Sequence, residues 1–526
     1  MTQTVQPVLC NGEWIVSSGS NTFQAANPKT EVPMPQTFPV SPWDEIDRVL
    51  AVAAATAKEM RGWPSSRFAE FLEVYADEIE ARADLLVETA HQETGLPVSP
   101  RLKDAELPRT TNQIRQAAGA ARDESWRIPT IDTGSGIRSM YGAVGPVVVF
   151  GPNNFPYAYN GIAGGDFAAA IAAGNPVVAK GHPSHPETTR IFAEAALAAI
   201  QKTGMPKGLV QLIYRTSHED GLKLVSDPRI GGVGYTGARQ TGLRLKAAAD
   251  AAGKPIYLEL SSINPVFMLP GALKERMEAI ADEFKVSCLM GAGQFCTNPG
   301  LVVIPAGDLG EAFMEAVASR FEESGSATML SEGVRQNFLS AVSTLKEAGA
   351  AVVTGGTAGG GTGVCVQNTL MRADAEAFLK NPHALQTEAF GNGSLMVTAD
   401  STEQMAEIAE QLEGNLTGSI YSDTRGTEDA DAQQIEKVLR TKVGRLLNDK
   451  MPTGVAVVSS MNHGGPFPAT GHPGFTAVGV PGSVTRFGML QCYDNVRHDR
   501  LPPVLQDGNP GGAWRRVDGN WTQDQL

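Results

Sequence analysis

From Val144 onward the chain alternates short apolar runs with helix-patterned segments, and this alternation restricts the fold more than any other feature. Val147-Val148-Val149-Phe150 precedes a helical stretch over residues 161–173. Pro176-Val177-Val178-Ala179-Lys180 precedes another over 187–203. Leu209-Val210-Gln211-Leu212-Ile213 and Val233-Gly234-Tyr235-Thr236 follow, with a further helix after Gly237. Strands that are apolar on both faces and separated by helices predict a parallel sheet covered on both sides, an α/β architecture. A second α/β stretch runs over 266–459, through a helical 274–292 and the strand Val302-Val303-Ile304.

Upstream, residues 43–63 carry Ile46, Val49, Leu50, Ala53 and Ala54 at helical spacing, and 65–93 carry Phe68, Phe71, Leu72, Tyr75 and Ile79. Residues 102–122 are mostly helical, with Pro108 a break or kink. Residues 127–141 are short, polar and glycine-containing, as in a hairpin. The glycine-rich 355–363 is expected as a mobile surface turn rather than a phosphate loop, because it does not join a strand to a helix. Beyond Pro510 the polar tail is expected to be ordered only against other surfaces.

At 526 residues the chain exceeds one ordinary core, so several domains are expected. Its net charge of -14 argues against a general nucleic-acid binder, and would repel an anionic substrate unless basic side chains line the site. No basic, apolar leader opens the sequence and no run of about 18 apolar residues crosses a membrane, so a cytoplasmic protein is expected. The five cysteines, Cys10, Cys288, Cys296, Cys365 and Cys492, form no CxxC pair or zinc spacing, and no metal is expected. A scattered, odd set suits a reducing compartment in which a catalytic thiol persists.

Cys296 lies in Gly293-Gln294-Phe295-Cys296-Thr297-Asn298-Pro299-Gly300, among small and turn-forming residues that would let a substrate reach the thiol. Earlier comes Glu259, in the strand-like Ile256-Tyr257-Leu258-Glu259-Leu260, followed by Ser261 and Ser262. The apolar run at Val147 ends in Gly151-Pro152-Asn153-Asn154-Phe155-Pro156. Thiol, carboxylate and amide can provide a nucleophile, a general base and an oxyanion donor for covalent chemistry at a carbonyl. Cys288, within helical sequence, is read as structural.

At these three places the chain resembles the aldehyde dehydrogenase superfamily. Gly293-Gln294-Phe295-Cys296 follows the family's Gly-Gln-x-Cys-like segment. Glu259-Leu260-Ser261-Ser262 is similar to Glu-Leu-Gly-Gly, with serines replacing both glycines. Pro152-Asn153-Asn154-Phe155-Pro156 is similar to Pro-Trp-Asn-Phe-Pro, which places Asn154 at the catalytic amide. The resemblance implies attack by Cys296, oxyanion stabilisation by Asn154 and the Cys296 N–H, hydride transfer to a nicotinamide, and thioester hydrolysis by water activated at Glu259. It further implies a Rossmann-type cofactor-binding domain (1–123 and 145–260) and an α/β catalytic domain (261–460). An oligomerisation hairpin with a bridging region and tail (124–144 and 461–526) completes the expected chain, with a late strand near 486–493 joining the hairpin in a homodimer or homotetramer.

The same resemblance maps the cofactor. Lys180 would reach the adenosine ribose, with His182, Ser184 and Arg215 beside it. Pro183 stands where NAD-preferring members commonly carry a glutamate, which tilts the expectation to NADP with NAD also accepted. Thr236, Gly237 and Gly242 match a segment opening a helix near the pyrophosphate. Glu388, in Thr387-Glu388-Ala389-Phe390-Gly391, would hold the nicotinamide ribose, and Phe390 would pack near the ring. The motifs look most like those of 2,5-dioxopentanoate (α-ketoglutaric semialdehyde) dehydrogenases, with an NADP-linked long-chain aldehyde dehydrogenase as the alternative. The first substrate needs cationic side chains, for which Arg109 and Arg115 are candidates. The second needs an apolar tunnel, for which Phe155, Tyr157, Phe295 and Phe467 are candidates.

Overall fold

The computed structural model describes residues 5–526; residues 1–4, included in the expected cofactor-binding part, lie outside the described residues. Five parallel strands form the body of the first sheet, in the order Ile256–Glu259, Gly232–Thr236, Val147–Phe150, Val177–Lys180, Val210–Ile213. Two short strands absent from the sequence reading, Val8–Cys10 and Glu13–Ile15, extend it in antiparallel fashion.

The all-apolar strands are explained by what covers them. Side chains alternate across a strand, so Val147 and Val149 enter one core with Phe68, Phe71, Tyr75 and Phe167. Val148 and Phe150 enter another with Ile46, Val49, Leu50 and Ala53. Strand order reverses around Val147–Phe150, and such a switch point opens a crevice at the carboxyl ends of the strands. Phe150, Lys180, Thr236 and Glu259 stand at those ends.

The second sheet runs Ala351–Thr354, Thr369–Asp374, Gly393–Ala399, Leu301–Pro305, Val266–Met268, Asn415–Tyr421, Val443–Asn448, parallel except for Ala351–Thr354. A third, five-stranded sheet contains the hairpin strands Thr130–Ile131 and Arg138–Ala143, with Gly488–Tyr493 pairing to the latter as expected.

The structure corrects one local expectation and gives detail to two others. Residues 65–93 form two helices, Ser65–Glu80 and Ala83–Thr94, and Arg82 breaks the line with a ψ of 15°. The glycine-rich 355–363 is a turn tucked against its neighbours: a Cβ on Gly363 would stand 2.2 Å from the Pro28 carbonyl. The tail is held within its own chain. Arg515–Val517 pairs in parallel with Thr130–Ile131 and antiparallel with Asn520–Thr522. Arg515 is fully buried and donates to the carbonyls of Gln506, Asp507 and Asp524.

Removing that guanidinium takes away three hydrogen bonds that tie the segment together, at about 1 kcal/mol each. Arg515→Ala is therefore expected to make the C-terminal segment cleavable under native-state proteolysis, while thiol labelling at Cys296 stays unchanged.

Candidate active site

Cys296 is presented by a loop whose backbone few sequences allow. Gly291, Ala292 and Gly293 all have positive φ, and a Cβ on Gly293 would stand 2.1 Å from the Gly391 carbonyl. Glycine at 293 is thus required by both conformation and space. Gln294 locks the loop by accepting from the Leu330 N–H and donating to the Gly291 carbonyl. Asn264 reaches across and donates to the carbonyls of Cys296 (2.9 Å) and Asn298 (2.8 Å).

Glu259 ends its strand beside this loop, 5% exposed. Asn154, 6% exposed, donates one amide hydrogen to the Gln294 carbonyl at 3.0 Å, which leaves a second for an incoming oxygen. Its segment is clamped from behind. Buried Glu106 accepts from the N–H groups of Tyr157 and Ala158, and Arg101, paired with Glu106, donates to the Asn154 carbonyl.

The structure adds a residue that the sequence reading missed. His463 is 2% exposed, and its Nε2 lies 3.4 Å from Cys296 Sγ and 2.9 Å from Glu259 Oε1. A hydrogen on Nε2 points to the carboxylate, whereas a bare Nε2 accepts the thiol proton. Burial, reinforced by the Glu259 charge, pushes the Cys296 thiol well above its ordinary value, with Arg109 opposing. The resting thiol is therefore protonated, and attack requires the base beside it. The only sequence signal for His463 was a histidine in a Gly- and Pro-rich stretch, Asn462-His463-Gly464-Gly465-Pro466.

The apolar wall near the thiol is built from Phe155, Ala158, Tyr159 and Val478, with Phe295, Val455, Val457 and Met461 packed on it. Phe155 meets Phe295 edge-on at 5.4 Å. Arg109 lies over Phe155 and Tyr159 and donates to the Tyr159 hydroxyl at 3.2 Å. Three other candidates fall elsewhere. Tyr157 is buried beneath the loop, donating to the Leu86 carbonyl and packing on Phe192. Phe467 is 55% exposed beside Arg239. Arg115 is bound at the surface to Asp77 and Glu80. Sequence places aromatic residues near a motif but cannot say which side of the backbone they take.

The cofactor candidates gather along the crevice of the first sheet. Lys180 ends its strand with no carboxylate in ion-pair distance among the described residues, and burial together with the Arg215 charge pulls its amine down to about 8. His182 stacks on His185, accepts from the Ser184 N–H, and is held neutral by burial. Thr236 and Gly237 lead into the helix Arg239–Ala251. A Cβ on Gly242 would stand 2.4 Å from Leu260, so glycine lets that helix sit close to the strand end. Glu388 is half-buried and is pushed up to about 7, chiefly by burial, with Ser261 and Ser262 opposing. Phe390 and Glu388 line one cavity with Ser262 and Phe338. Cations, helix start and carboxylate, in that order along the crevice, fit a nicotinamide dinucleotide.

A half-buried thiol with a carboxylate close by, beside a crevice of this kind, is the arrangement of an enzyme that oxidises aldehydes covalently. The aldehyde dehydrogenase family model matches residues 14–457, and the chain belongs to that family. An α-ketoglutaric semialdehyde dehydrogenase of Azospirillum brasilense is 38% identical over 97% of this chain and 98% of its own. One from Acinetobacter baylyi is 34% identical over 97% of each. Among solved structures, a betaine aldehyde dehydrogenase of Staphylococcus aureus has a TM-score of 0.81 at 19% identity, covering 94% of this chain and 97% of that one.

The protonated resting thiol has a kinetic signature. Alkylation of Cys296 by iodoacetamide in the free enzyme is expected to keep accelerating with pH, without a plateau at or below pH 9.0, the ordinary thiol value.

Proposed function

We propose that the protein oxidises 2,5-dioxopentanoate to 2-oxoglutarate with NADP as the preferred coenzyme and NAD also accepted. The observation that carries the substrate is Arg109. It stands at the apolar wall of the thiol pocket, its charge acts on Cys296, and it has no carboxylate in ion-pair distance among the described residues. Its Nε is buried without a partner. A half-buried guanidinium that nothing neutralises is a receptor for a carboxylate. Arg101 lies over the same Phe155 but is already paired with Glu106. The names of the two relatives described above support the same substrate. The apolar wall itself favours a second reading, a long-chain aldehyde.

In this reading the Cys296 proton passes to the Glu259–His463 pair and sulfur attacks the aldehyde carbon. The Asn154 amide donates to the oxygen as it becomes anionic. The bound coenzyme, held along Lys180, Thr236, Gly237 and Glu388, supplies the hydride acceptor. The thioester left on Cys296 is then hydrolysed by water that loses its proton to Glu259. Covalent capture fixes the substrate in place for each step.

Reduced-nicotinamide absorbance tests the proposal. Turnover of 2,5-dioxopentanoate is expected to fall more than about 10³-fold in Cys296→Ala. A preference for a long-chain aldehyde would overturn the substrate while leaving the chemistry. Arg109→Met is expected to raise KM for the dioxo acid about 10- to 100-fold and to leave that for an uncharged short aldehyde nearly unchanged.

For the coenzyme, the two facing cations Lys180 and Arg215 suit a 2′-phosphate. Binding the phosphate raises the Lys180 pKa from its free value of about 8. NADP affinity is then fully present below pH 8 and lost as pH rises beyond it, by at most about tenfold per unit. NAD affinity, measured alongside by fluorescence quenching, is expected to change less.

A further inference from the structure

Three metal-ligating side chains converge at the thiol. Cys296 Sγ, His463 Nε2 and a Glu259 oxygen all lie within 4.8 Å of one another. They come from segments 167 and 204 residues apart, so no ligand spacing in the sequence announces them. The distances have the scale of a metal's coordination sphere. Zinc bonds sulfur at about 2.3 Å, imidazole nitrogen at about 2.0–2.1 Å and carboxylate oxygen at about 2.0–2.2 Å. At tetrahedral angles those lengths separate sulfur from nitrogen by about 3.5 Å and nitrogen from oxygen by about 3.3 Å. The structure has 3.4 Å and 2.9 Å.

A second observation points into the same space. Glu259 is 5% exposed, yet its Oε2 is buried with no hydrogen-bond partner. A buried carboxylate oxygen without a donor is costly, and a cation satisfies it. Thiolate, neutral imidazole and carboxylate form a soft-to-borderline donor set that selects zinc over magnesium or calcium. The His463 backbone is fixed by its main-chain N–H, which donates to the Thr476 hydroxyl.

We propose that Cys296, His463 and Glu259 form a reversible inhibitory site for Zn²⁺, with water as the fourth ligand. On binding, the S–H bond breaks, an S–Zn bond forms and the thiol proton leaves to solvent. Nε2 and the carboxylate bind through lone pairs, and nothing is oxidised or reduced. Zinc draws electron density from the sulfur and weakens it as a nucleophile, the metal fills the space an aldehyde must enter, and a ligated Glu259 is no longer a base, so occupancy and turnover exclude each other.

Titration of the metal-free protein with Co²⁺, followed by Zn²⁺, tests this without any turnover. One Co²⁺ per chain is expected, with sulfur-to-cobalt charge-transfer absorption and the intense visible bands of four-coordination, both erased by Zn²⁺. Cys296→Ser should abolish the charge transfer, and His463→Gln and Glu259→Gln should each weaken binding more than about tenfold. Cys492→Ser, at an exposed thiol, should leave the spectrum unchanged. Circular dichroism checks that each variant is folded. In the unmutated protein, Zn²⁺ should also slow iodoacetamide labelling of Cys296. Charge transfer that survives Cys296→Ser, absence of saturable binding at micromolar metal, or absence of protection would each overturn the proposal. Because neither readout needs substrate, failure of the dioxo-acid reading would leave this result intact, and the reverse also holds.

Discussion

One buried side chain, Asn264, joins the two halves of the reactive centre. It follows the strand that delivers Glu259, is fully buried, and takes a left-handed φ of 48° that asparagine tolerates better than most residues. Its amide nitrogen holds the carbonyls of Cys296 and Asn298, and its oxygen accepts from the hydroxyls of Ser262 and Thr417. Asn415 adds a second layer by accepting from the Ile263 and Asn264 N–H groups. Losing any member strands buried polar atoms at about 1–3 kcal/mol each. The carboxylate of one sheet and the thiol of the other therefore keep their spacing through a saturated polar network rather than through apolar packing, which would permit sliding.

The parts of this centre differ in how visible they were beforehand. The parallel sheets were legible because strands covered on both faces must be apolar throughout, and such runs stand out between helices. Cys296, Glu259 and Asn154 were legible because each sits in a local motif whose neighbours have their own physical reasons, such as the glycine at 293. His463 and Arg101 were not. Their positions are set by tertiary docking, and neither carries a local pattern that separates it from an ordinary turn histidine or surface arginine. The break at Arg82 was equally hidden, since Ala81 and Arg82 are both good helix formers. Tyr157 and Phe467 show the opposite case: residue type suggested a place at the apolar wall, whereas one packs on Phe192 and the other is exposed beside Arg239.

The chemistry is conditional on that docking. A half-buried thiol beside a carboxylate is less acidic than a free one, so without a base it would make a poor nucleophile. In the proposed mechanism it becomes useful because Glu259 from the first sheet and His463 from the segment after the second sheet offer a route for its proton. Three stretches far apart in sequence must be in place together before the sulfur has that route.

The third sheet has a consequence for the order of events during synthesis. Thr133, in the hairpin, is hydrogen-bonded to Asp518, 385 residues later. At a translation rate of about 5–20 residues per second, the hairpin waits roughly 20–80 s for that partner. Throughout that interval its strands have open edges, able to pair with whatever extended chain comes near. The tail thus closes a window of vulnerability that opens early on the ribosome, and a nascent chain stalled before it would be the species most in need of a chaperone.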